Sequence, residues 1–109
     1  MIIKRWEHAG MTCALRHGFN DVPCGYVLIP DGHPLHGVGY NDADGAGIHA
    51  HGGLTFAGPI EGDEDWWLGF DMGHYGDFDL STLTPLRTDA ECIAETEMLA
   101  EQLAERGEL

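Results

Sequence analysis

Thr88–Gly107 reads TDAECIAETEMLAEQLAERG, and the spacing of its apolar residues decides the fold. Cys92, Ile93, Thr96, Leu99, Ala100 and Leu103 recur at helical intervals on one stripe, while Glu91, Glu95, Glu97, Glu101 and Glu105 fill the remainder. Thr88 followed by Glu91 is a capping-box pattern, and Gly107 stands at a C-terminal cap position. This predicts a helix over about residues 89–106, with one face packed and the other in water. Upstream the period is that of strands. Ile2–His8 and Met11–His17 flank an Ala9-Gly10 break and read as a hairpin, and Gly25–Pro30 is a short apolar run of the kind buried on both faces. Ile48–Phe56 alternates as a strand with His49 and His51 on one face, and Trp66–Asp71 reads as another, its two tryptophans pointing to opposite sides. Asp31–Gly47, rich in glycine and aspartate, predicts a long surface loop. The expected fold is therefore α+β: a mostly antiparallel sheet of four to five strands (about 2–72) carrying one C-terminal helix, with residues 1–109 as a single domain.

Charge is the strongest compositional signal. Nineteen Asp and Glu oppose five Lys and Arg, leaving −14 with neutral histidines. Phosphate binding needs clustered cations, so direct nucleic-acid recognition is disfavoured. The same charge suits a partner with a basic surface, and it also serves plain solubility. Cys13, Cys24 and Cys92 are an odd set without CxxC spacing, which argues against a disulfide framework and for a reducing cytoplasm. The first residues, MIIKRWEH, lack a signal-peptide core, and no apolar run is long enough for a membrane span.

Chemistry is concentrated between His33 and Asp77, where five of the seven histidines alternate with aspartates and glycines. His49 and His51, with Asp71, His74 and Asp77 at three-residue intervals after the last long strand, make a candidate set for zinc or another divalent metal. The same region reads as a metal-free ligand site. His51, Gly52 and Gly53 would let backbone approach a bound group, Trp67 or Tyr75 would offer a stacking ring, and Asp71, His74 and Asp77 would supply acid and base. A purely structural role for these residues, with aspartates capping turns and His74 filling a gap, accounts for the same pattern. No phosphate loop, dinucleotide fingerprint or nucleophile elbow is present, and the only serine, Ser81, lies in linker-like sequence. No catalytic residue is assigned.

The run His51-Gly52-Gly53-Leu54-Thr55-Phe56 and the longer run Trp66-Trp67-Leu68-Gly69-Phe70-Asp71-Met72-Gly73-His74-Tyr75-Gly76-Asp77 resemble motifs of a family of small tailed-bacteriophage and prophage proteins. Tyr26–Pro30 with Gly32–Gly37, and the end of the glutamate-rich helix at Leu99–Leu103, extend the likeness over roughly residues 24–106. Members of that family often carry Cys where this chain has Met72, which would alter the site if that thiolate were a ligand. The resemblance implies a phage gene product acting in the cytoplasm of an infected bacterium.

Charge and resemblance together lead to an expected role as an accessory protein that antagonises a bacterial defence system, of the anti-CRISPR or anti-restriction type. It would bind a basic surface of a defence protein, without touching membrane or nucleic acid. Two alternatives stand beside it. One is a small metal-dependent hydrolase or binder of a nucleotide-like messenger built on the His/Asp cluster. The other is a virion or assembly accessory protein, for which an exposed Trp66 or Trp67 would favour a homodimer.

Overall fold

Two residues in the left-handed region set the sheet going. Ala9 (φ 54°) and Gly10 (φ 76°) form the two-residue turn whose twist matches that of paired strands, joining β1 (Ile2–His8) to β2 (Met11–His17). β2 pairs antiparallel with β3 (Pro23–Ile29), β3 with β5 (Trp66–Asp71), and β5 with the short edge strand β4 (Phe56–Gly58), giving the order β1-β2-β3-β5-β4. A two-stranded ribbon, β6 (Phe78–Asp79) with β7 (Thr84–Pro85), leads into the long C-terminal helix α2 (Asp89–Gly107). The computed structural model describes residues 1–108. It is the expected α+β architecture, with an antiparallel sheet of five strands under one long helix.

α2 packs across β3, β2 and β1. Its buried stripe is Cys92, Thr96, Leu99, Ala100 and Leu103, and Thr96 hides its hydroxyl by donating to the Cys92 carbonyl at 2.7 Å. Gly25 makes the approach possible: a side chain there would overlap Thr96 Oγ1 and the Phe70 ring. On the other sheet face Trp67 is fully buried, and the acidic turn before it supplies Asp63, whose Oδ2 accepts from Trp67 Nε1 at 3.0 Å. Around it Arg5 lies over Trp67 (5.5 Å), Arg16 lies over Tyr26 (5.3 Å), and Tyr26 meets Phe56 edge-on. Burying rings such as Trp67 and Phe70 contributes about 1.5–3 kcal/mol each.

Several expectations are corrected. The loop over 31–47 contains a short helix, α1 (Tyr40–Gly45), which the Asp and Gly content conceals because its only buried anchor is Ala43. The strand expected at Ile48–Phe56 is present only from Phe56. Gly52 (φ 69°) and Gly53 (φ 91°) are left-handed and turn the chain, so His49 and His51 do not share a strand face. α2 runs through Gly107 to a cap at Glu108, and the glycine serves another purpose: a Cβ there would meet the His33 ring at 2.8 Å. Trp66 is half-buried with its Nε1 donating to the Val38 carbonyl at 3.2 Å, and Trp67 is in the core. Neither tryptophan presents the exposed ring on which self-association was expected to rest. No described helix is long and apolar enough to cross a membrane.

Candidate functional site

Asp77 is the buried carboxylate around which the expected site organises. It ends a single 3-10 turn, Tyr75–Asp77, closed by reciprocal bonds: His74 N–H donates to Asp77 Oδ2 (3.0 Å) and Asp77 N–H donates to the His74 carbonyl (2.8 Å). With 2% of its surface exposed, the carboxylate also accepts from His51 Nε2 (2.8 and 3.0 Å to its two oxygens) and from Arg87 Nε at 2.7 Å. Burial alone would push its pKa up. The bonds from Arg87, His51 and the His74 amide outweigh that and hold it below the usual carboxylate range. Three segments distant in sequence, the turn at 51–53, the loop at 74–77 and the residue preceding the cap of α2, are thereby fastened to one charge.

A second pair lies alongside. The His74 ring is 6.3 Å from the His51 ring, its Nε2 is 3.7 Å from Asp71 Oδ1, and that nitrogen is buried without a hydrogen-bond partner among the described residues. Asp71 in turn accepts from Thr55 Oγ1 (3.0 Å) and from the Gly73 amide (2.9 Å). Gly52 is required because a Cβ at this position would overlap the His74 imidazole. Of the residues expected at the site, His51, Gly52, Asp71, His74 and Asp77 are brought together. Gly53 only completes the turn, donating to the Ala50 carbonyl at 2.9 Å.

The others are dispersed. His49 is exposed, and its backbone exchanges bonds with Gln102 of α2 (2.8 Å each way), so it does not join the set expected to bind metal. Among the described residues no three His, Cys, Asp or Glu side chains are grouped to hold a metal ion. Trp67, expected to stack on a ligand, is fully buried and offers no free face. Tyr75 is 82% exposed and lines a different groove. Two residues were missed. Arg87, one of only five cations, could have been suspected from its place just before the helix cap; Thr55 carried no signal.

The remaining clustered histidines support the fold. His33 donates from Nε2 to the Leu103 carbonyl (2.7 Å) near the end of α2 and accepts the Leu35 amide at Nδ1 (3.0 Å), which fixes the orientation of the ring. His36 donates from Nδ1 to the Ile29 carbonyl at 2.8 Å. The three thiols are buried, and burial pushes Cys13 and Cys92 up to about 12, far from nucleophilic reactivity at neutral pH.

Chemically, the arrangement is a histidine held by a buried carboxylate. With Nε2 bonded to Asp77, the His51 ring has Nδ1 as its second polar atom, and His51 lines a groove of about 240 Å³ with His49, Ala50, Glu95, Met98 and Gln102. No family model, curated protein or solved structure matches the chain.

Proposed function

We propose that this chain works by binding, as a phage-type accessory protein that occupies a basic surface of a bacterial defence protein, an anti-CRISPR or anti-restriction activity, in the cytoplasm of the infected cell. The observation that carries the reading is the carboxylate content of α2's accessible surface. Asp89, Glu91, Glu95, Glu97, Glu101 and Glu105 are all at least partly exposed along its 19 residues, and Arg106 is the sole cation within it. The helix holds these carboxylates over about 24 Å, a rigid anionic edge that a nucleic-acid cleft would accept in place of a backbone. Within the His/Asp cluster Asp77 argues in the same direction: its carboxylate accepts from three donors of the chain itself and ties three segments together.

The test is capture of purified defence nucleases on the immobilised chain at about 50 and about 200 mM salt, compared with Glu95→Gln/Glu101→Gln/Glu105→Gln. Gln keeps helix propensity while removing charge. Binding that falls at least several-fold with salt and with the triple change supports the reading; no salt-sensitive partner removes it.

A second reading, binding of a nucleotide-like ligand in the groove beside His51, is favoured by the Asp77-oriented ring. Thermal shifts with a nucleotide panel test it. Stabilisation abolished by His51→Gln is its expected result, and no shift with any nucleotide counts against it.

A further inference from the structure

The proposed binding role leaves one surface without a use. Where the turn Phe19–Asp21 faces the β6–β7 ribbon there is a groove of about 550 Å³, bounded by Phe19, Tyr75, Phe78, Leu80 and Leu83, and it adjoins a second hollow of about 280 Å³ floored by Val22 and Cys24. Together they fall in the size range of specific binding sites. Phe19 is 92% exposed and Leu83 65% exposed, so large apolar side chains here stand in water although the core lies nearby. Leu83 is also left-handed (φ 57°), a conformation that disfavours leucine and suits Gly or Asn. A turn alone would be served better by those residues. What leucine adds at this position is an apolar side chain, held outward while its carbonyl accepts from Asn20 Nδ2 at 3.0 Å, a bond that joins the two walls.

Charge specifies the occupant. Among the described residues no Lys or Arg lines either hollow, whereas Asp71 lines the inner one and Asp21 stands exposed beside Asn20. The rim is also continuous with the acidic helix: His17, next to Gly18 and Phe19 in the chain, bonds Asp89 of α2 at 2.8 Å. A cationic segment seated here would meet carboxylates on the floor, on the rim and at the start of α2, and a large apolar side chain within it would fill the groove.

We infer that this groove is the anchor point for a basic protein segment that inserts a large apolar side chain between Phe19 and Leu83. The inference rests on the binding role proposed above and supplies its short-range part: the carboxylates of α2 attract, and the groove retains.

The experiment follows backbone amide shifts of the isotope-labelled full chain with three synthetic peptides. The first has Leu and Trp flanked by Lys and Arg, the second has Ala replacing Leu and Trp, and the third has Gln replacing Lys and Arg. The expected result is that the first peptide alone binds tightly and moves Phe19–Asp21, Gly73 and Leu80–Leu83, with Phe19→Ser and Leu83→Asn each weakening it about tenfold. Leu83→Asn adopts the same backbone with ease, so loss of binding in that variant is not loss of fold. Shifts confined to α2, equal for the first two peptides, overturn the groove while leaving the acidic-face reading standing. Equal groove binding of the first and third peptides overturns the basic occupant and, with it, the role of charge. Shifts in the groove that grow with protein concentration and no peptide overturn the inference in favour of a second copy of the chain. No shifts with any of the three overturn it outright.

Discussion

Asp77 and Leu83 are six positions apart and invert the ordinary rule of burial: the aspartate is 2% exposed and the leucine 65%. Their surroundings explain the difference. Around Asp77 each polar bond is made internally, by His51, Arg87 and the His74 amide, so the charge is used up in joining three segments. Around Leu83 the apolar surface is left open and the backbone is held in a costly conformation, so the capacity to bind is kept. Buried polarity here is a matter of stability, and exposed apolarity one of recognition.

The largest loss of stability is expected at Asp77. Asp77→Ala removes a buried acceptor shared by the half-buried Arg87 and His51 and is expected to lower unfolding stability by about 3 kcal/mol in urea titrations. A loss under ~1 kcal/mol would mean that the three segments hold without it. Gly52→Ala comes next, at roughly 2 kcal/mol, because a left-handed alanine is strained and its Cβ overlaps the His74 ring. The same change should displace the His74 imidazole signals in NMR spectra, which a backbone effect alone would not do.

His33→Ala should cost about 1 kcal/mol by removing the ring's bond to the Leu103 carbonyl and its contact with Gly107, with hydrogen exchange quickening in the last turn of α2.

Acid sharpens the contrast. The Asp77 carboxyl sits below its ordinary range in the folded chain, so its contribution is complete above the unfolded value of about 4 and is lost as pH falls through the depressed folded value. Unfolding stability followed from pH 6 to pH 2 should therefore decline less steeply at the acid end in Asp77→Asn than in the natural sequence.

Much of this was legible in the chain beforehand. The helix period after Thr88, the Ala9-Gly10 turn and the apolar run to Pro30 are local signals, and each placed its element. The strand read at Ile48–Phe56 failed because alternation cannot reveal that Gly52 and Gly53 have left-handed backbone, a choice forced by the His74 ring arriving from 22 residues away. The candidate site was half legible. His51, Asp71, His74 and Asp77 stood out by type and spacing, but their partners Arg87 and Thr55 come from segments that only the fold brings near. Trp67 misled for a related reason: adjacent tryptophans guarantee opposite faces and do not say which face is covered. Phe19 and Leu83 were passed over because an exposed apolar residue in a loop has no periodicity to betray it.

The measurement that bears most directly on the division between a part that folds and a part that binds is the equilibrium urea unfolding of Leu83→Asn. The change relieves a left-handed leucine and removes an exposed apolar side chain, so stability should stay within about 0.5 kcal/mol or rise by up to about 1 kcal/mol. A fall of ~2 kcal/mol would show that Leu83 supports the fold, and the groove would then lose its claim to be a surface held ready for a partner.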